Sequence, residues 1–334
     1  MEGTRATTNT TLKGLYRKLK AVGFSAPFLR QNVLPDWWED SLAAIPANRL
    51  MIESIISRQL GFDLESLRNP DAPLQLQPKA SARFKLRAGL DASNVEVMHS
   101  LAARLAEISI MCIVQTLRTE RSPAQEIRVR LLENTSCINH ETLLKYCWDI
   151  GVPVVHLCQR PTGAKHLDGA AICVDGKPAI VIGCQRKQPA WHLFILAHEL
   201  GHIMLNHLPE SNDAVWDDKV DIQLRDKCER EANEFAVALL AGNPNIKFAP
   251  TASWLTAEEL AESARSLGEQ MRIDPGYVAL NYAWNQKLMA VGIGAVNHLY
   301  PNANVFDSYR KYYDSLDFEC VPDDSAHFFD SLTS

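Results

Sequence analysis

Trp191-His192-Leu193-Phe194-Ile195-Leu196-Ala197-His198-Glu199-Leu200-Gly201-His202 is an apolar run that ends in His-Glu-x-x-His. Residues four apart share one face of a helix, so His198 and His202 can aim two imidazoles at one zinc ion. Glu199 stands beside the first of them, where it can take a proton from a metal-activated water. The competing reading is that two histidines on a helix are ordinary packed or surface residues. The context counts against it. The run continues as Ile203-Met204-Leu205, which makes the helix a buried one. Burying two imidazoles and a carboxylate without a partner is costly, and a metal satisfies all three.

Upstream of this helix the pattern has the period of strands. Val152-Pro153-Val154-Val155-His156-Leu157, Gly169-Ala170-Ala171-Ile172-Cys173-Val174 and Pro178-Ala179-Ile180-Val181-Ile182 read as strands. Asp175-Gly176 between the last two is a strong hairpin signal. A small sheet therefore precedes the histidine helix, and its edge can pair with an extended peptide beside the metal.

A catalytic zinc takes three protein ligands and leaves one position for water. The third must come from the helix that starts near Cys228, whose core face carries Ala232, Phe235, Ala236, Leu239 and Leu240. Glu229, Glu231 and Glu234 compete. Glu229 shares a face with Asn233 on the buried side, and Asn233 can orient a ligating histidine by a hydrogen bond. Glu231 and Glu234 read better as a solvated face. His207, Tyr277 and Tyr282 are candidates for stabilising an oxyanion, against plain structural roles for each.

The chain has 334 residues, 46% of them apolar, and a net charge of -6, which argues against a nucleic-acid-coating protein. No apolar run reaches membrane-span length, and the N-terminus lacks the apolar core of a secretory signal. The eight scattered cysteines include no Cys-x-x-Cys pair and read as reduced thiols, so the expected compartment is the cytoplasm.

Residues 1–10 are polar and read as disordered. Residues 12–61 read as short helices, with stripes at Leu15, Leu19, Val22 and at Leu50, Ile52, Ile55, Ile56, Leu60. Lys13, Arg17, Lys18, Lys20 and Arg30 give this region a basic face. A helix-turn-helix that binds DNA competes there with a small bundle anchored by Trp37 and Trp38, and the bundle is the better reading. The expected organisation is a helical region over 1–65, a Pro-rich linker over 66–92, a metallopeptidase domain over 93–290 and an aromatic, acidic tail over 291–334. Ser93 caps a helix with Met98, Leu101, Leu105, Ile108 and Met111 at helical spacing. Further helices are expected over 140–150, from Thr256, and over 274–290. The polar, acidic stretch 208–227 reads as a solvated loop, against a lid that favours basic substrates. The tail reads as packed on the domain, against a partner-binding or autoinhibitory segment.

Phe194-x-Leu196-Ala197-His198-Glu199-Leu200-Gly201-His202, followed by Glu229-x-Glu231-Ala232-Asn233-x-Phe235-Ala236-x-x-Leu239-Leu240, resembles the ImmA/IrrE family of bacterial metallopeptidases. The resemblance extends over about 145–285 and includes Gly151-Val152-Pro153-Val154-Val155, Asp168-Gly169, Lys177-Pro178-Ala179-Ile180 and Ile273-Asp274-Pro275-Gly276-Tyr277-Val278-Ala279. It implies an α+β, mostly helical fold with a small β-sheet before the His-Glu-x-x-His helix of a minimal zincin-like domain, beside a helical N-terminal domain. It also implies a gluzincin-like site with Zn2+ on His198, His202 and Glu229, and Glu199 as the base. Its members are often paired with helix-turn-helix modules, and some cleave repressors or act in stress, mobile-element or toxin–antitoxin settings. The expected function is a zinc endopeptidase acting on one protein substrate of the repressor or antitoxin type, with DNA as a weaker partner and no membrane. The alternative is a zinc-binding transcription regulator or an antitoxin-like interaction module with little proteolytic activity. One departure, Leu239-Leu240-Ala241-Gly242 in place of Leu-Leu-Met-Pro, falls at the helix exit and not at the ligands.

Overall fold

Most apolar residues of the chain fall at helical spacing, and the fold follows from that: fourteen α-helices and three strands among the described residues. The computed structural model describes residues 2–75, 77, 94–114, 121–164, 166–208, 221–249 and 255–334, with backbone alone for 2–11, 94–96 and 221–226. Most of the linker expected over 66–92, the Ser93 cap, and most of the loop expected over 208–227 lie outside the described residues.

The N-terminal helices are α1 (Glu2–Ala21), α2 (Ala26–Asn32), α3 (Pro46–Leu60) and α4 (Leu64–Arg68). The backbone of α1 starts at Glu2, ahead of the Leu12 start that the apolar pattern suggests, so the polar first residues extend the helix. Ser25 caps α2 through Phe28 N, and Gly61, at φ 73°, closes α3 in a left-handed turn. The stripes are buried except at Val22, which is half-buried, and Leu50, which is exposed. Trp38 is buried while Trp37 is half exposed. Lys18 donates to the carbonyls of Ser66 and Asn69, and Arg30 pairs with Asp40, so two of the five basic side chains are engaged within the fold.

Helices α5 (Asn94–Cys112), α6 (Ala124–Leu132) and α7 (His140–Asp149) follow. The stripe on α5 is buried down to Ile108, but Met111 is exposed. Gly151, at φ 76°, turns the chain from α7 into the sheet. Strand β1 (Val154–His156) runs parallel to β3 (Lys177–Ile182), which lies between it and antiparallel β2 (Gly169–Val174). Asp175 and Gly176 both have positive φ, 50° and 77°, the two-residue turn whose twist fits a hairpin.

Helix α8 (Pro189–Met204) carries the histidine motif, and α9 (Asp221–Ala241) packs along it. Helices α10 (Ala257–Met271), α11 (Pro275–Gln286) and α12 (Met289–Leu299) form a bundle against them. A Thr256–Glu259 capping box starts α10, as the sequence suggests. The single helix expected over 274–290 is two. Lys287 adopts φ 59° and Leu288 N returns to Ala283 O, which ends α11 before Met289. Helices α13 (Phe306–Tyr313) and α14 (Asp323–Thr333) complete the chain, with Tyr309, Phe328 and Phe329 buried. No helix among the described residues is long and apolar enough to cross a membrane, and all eight cysteines are free thiols.

Candidate metal centre

Helix α8 starts with Pro189 in its first turn, where the missing N–H has no cost, and buries His192, Leu193, Leu196, Ala197 and Leu200. Gly201 lets α9 come close. A Cβ there would meet Phe235 Cδ1 at 3.1 Å and Ala232 O at 3.2 Å. The tight crossing brings the polar stripe of α9 opposite the histidines.

His198 Nε2 and His202 Nε2 are 3.1 Å apart. Glu229 Oε2 is 3.3 Å from the first, and Oε1 is 3.7 Å from the second. Zinc bonds of about 2.05 Å in a tetrahedron give ligand–ligand edges of about 3.3 Å. The three observed separations bracket that edge, and the set of two imidazoles and one carboxylate is a zinc donor set. The residues present therefore fit the metal.

Each histidine has its other nitrogen tied back. His198 Nδ1 donates to Asn233 Oδ1 at 3.1 Å. His202 Nδ1 lies 3.2 Å from His207 Nδ1, and His207 Nε2 lies 3.1 Å from Glu231 Oε2. Burial, and next the His198 and His207 rings, push His202 down to about 4, so its imidazole is neutral near pH 7, the form that ligates.

Glu199 is buried, and its Oε2 accepts the amide of Ala171 at 2.7 Å. That amide points away from β3, on the edge side of β2. Burial pushes the Glu199 carboxyl up to about 8; the Ala171 bond opposes this and the nearby Glu229 charge adds to it. Gly169 makes the room. A Cβ there would lie 2.5 Å from Ile195 Cγ2 and 3.0 Å from Glu199 Oε1.

Residues 153–269, roughly a third of the chain, match the family Peptidase_M78, described as the IrrE N-terminal-like domain. This segment is similar to the Peptidase_M78 family. Neither the curated proteins nor the solved structures gave a match. The matched segment spans the whole sheet, both site helices and most of α10, so all the residues of the cluster lie inside it.

The structure thus brings His198, His202 and Glu229 together as a possible three-residue metal site, with Asn233 behind His198 and Glu199 beside them. Glu234 is exposed, away from the cluster. Glu231 departs from the solvated face expected of it and binds His207. His207 lies behind His202, where it cannot reach an oxyanion on the metal side. Tyr277 and Tyr282 are buried; Tyr277 stacks on Phe194 and its hydroxyl accepts from Asn281 Nδ2. Asp168-Gly169 belongs to the family-like pattern, but the room that Gly169 leaves for Glu199 and the role of the Ala171 amide had no signal in the sequence, because they depend on how the sheet edge meets α8. At the exit of α9, Gly242 takes φ 80° and Arg128 donates to the carbonyls of Leu239, Leu240, Met271 and Arg272, capping two helices at once.

Proposed function

We propose that the chain is a zinc-dependent endopeptidase. The observation that carries this reading is the triad of donors at tetrahedral spacing, with a buried carboxylate next to it, inside the segment similar to the M78 family. When bound, zinc supplies Lewis acidity, which polarises a carbonyl and lowers the pKa of water. His198, His202 and Glu229 would hold it. Burial raises the Glu199 carboxyl to about 8; a dication held by the neighbouring ligands would favour the carboxylate form, in which Glu199 is placed to take the proton of the attacking water and deliver it to the leaving amine. The outward edge of β2 offers backbone groups to an extended peptide, which would align the scissile bond beside Glu199. The family resemblance supports a protein substrate of the repressor or antitoxin class, and the scattered cysteines, read as reduced thiols, support a cytoplasmic setting.

The test uses wild type, Glu199→Gln and His202→Ala. Elemental analysis should give about one zinc in the first two and none in the third. Glu199→Gln should then retain a bound protein that wild type cuts at an internal peptide bond. A wild type without zinc, or one that leaves the retained protein uncut, overturns the reading and favours an interaction module.

A further inference from the structure

The geometry points to His207 and Glu231 as positioning residues that fix the tautomer and the orientation of His202 for metal binding. This rests on the zinc centre proposed above. Helix α8 ends in a tight, hydrogen-bonded turn. Asn206 N returns to Ile203 O at 3.2 Å and His207 N to His202 O at 2.9 Å, with Asn206 at φ 60° between them. That is a Schellman cap, which sets the second residue after the cap against the third from the end of the helix. Those two residues are His207 and His202. The cap therefore delivers a second imidazole to the back of a metal-facing one.

Donor and acceptor roles along this line are fixed from its far end. An ionised carboxylate only accepts. Glu231 Oε2 therefore accepts a hydrogen bond from His207 Nε2–H, which leaves His207 Nδ1 with a lone pair. His207 Nδ1 in turn accepts from His202 Nδ1–H, which leaves the lone pair of His202 on Nε2. Nε2 is the atom that faces His198 and Glu229. A single chain of hydrogen bonds thus selects the one neutral tautomer able to ligate. Lys227 Nζ, 3.6 Å from Glu231 Oε1, sits at the end of the chain. The His207 side chain is largely buried, which holds the ring in place. Helix α9 accordingly orients both histidines, His198 through Asn233 and His202 through Glu231 at one remove.

Partners of this kind commonly shift metal affinity by about 10- to 100-fold when removed. The experiment measures zinc affinity by competition with a chromophoric chelator, and the thermal midpoint of the metal-free protein, for wild type, His207→Ala, Glu231→Gln, Glu231→Ala and the double variant His207→Ala/Glu231→Ala. Expected are a loss of about 10- to 100-fold in His207→Ala and Glu231→Ala, a smaller loss in Glu231→Gln, and metal-free midpoints close to wild type. Because the two residues act in series, the double variant should lose no more than His207→Ala alone. Wild-type affinity in His207→Ala, losses that add in the double variant, or a lower midpoint with unchanged affinity would each overturn the inference. Should His207→Ala fail to fold, the two half-exposed Glu231 variants carry the same test. A wild type that holds no zinc, or a His202→Ala that still holds it, overturns the centre itself. Zinc in wild type with unchanged affinity in His207→Ala overturns only the relay.

Discussion

Gly169 sits where a methyl group would press on Ile195 and on the Glu199 carboxylate together. Ile195 Cγ2 branches at Cβ and has little freedom in a helix, so the strain passes to Glu199. Gly169→Ala should leave His198, His202 and Glu229 in place yet displace the Glu199 carboxylate that the proposed function takes as the base. A misplacement of about 1 Å costs about 100-fold in rate, so kcat should fall by that order while zinc content holds at the wild-type value. Loss of zinc together with activity would show instead that the whole site had moved. His198, Glu199 and His202 could be picked out in the sequence because helical spacing alone puts the two imidazoles on one face; helical geometry prefers Glu229 as lying on the buried side, whereas its side chain is half exposed and still stands 3.3 Å from His198 Nε2. The partnership of His207 with Glu231 could not. It requires the register between α8 and α9, and a left-handed Asn206 that a helical pattern does not reveal. Asn, which tolerates that conformation, directly after the apolar run was the available signal.

At the level of elements, the site depends on how closely α8 and α9 approach, and Gly201 sets that distance. A Cβ at 3.1 Å from Phe235 and 3.2 Å from the Ala232 carbonyl is tighter than most packed Cβ contacts, and the second contact is to backbone that cannot rotate away. Gly201→Ala should therefore push the helices apart by a few tenths of an ångström. The expected cost is about 1–3 kcal/mol in denaturant unfolding, with weakened zinc binding, since Glu229 and Asn233 recede from the histidines. Unchanged stability and affinity would mean that the helices slide to absorb the methyl group. Strands, the hairpin turn and the main helices of this region were readable from period and turn residues. The second break, at Lys287, was not, because a lysine in a left-handed cap carries no propensity signal and is imposed by the packing of α12 on α11.

Across the whole molecule, the C-terminal segment is fastened to the site helix by a buried aromatic and imidazole cluster. Tyr309 of α13 bonds His140 of α7 at 3.0 Å and His192 of α8 at 2.8 Å, while His156 of β1 stacks on its ring. His192 Nε2 donates to Arg186 O, so its Nδ1 accepts from the Tyr309 hydroxyl, and that oxygen is left to accept from His140. Every member of this chain is neutral. Burial drives the three histidines below their usual 6.5, His140 to about 3 and His156 and His192 to about 4. A depressed folded-state pKa means that the unfolded chain binds more protons between the two values. The cluster's contribution is thus whole above about pH 6.5 and is lost as the pH falls towards 4. Each histidine should add about 1.4 kcal/mol per pH unit to the slope of stability in that window. His156→Phe keeps the stacking on Phe306 and Tyr309 and deletes one titration. Compared under identical metal conditions, its unfolding free energy should fall less steeply than wild type from pH 6.5 to 4, by about that amount per unit. Equal slopes would mean that His156 already charges in the folded state, with the C-terminal helix giving way around it before the rest of the molecule unfolds.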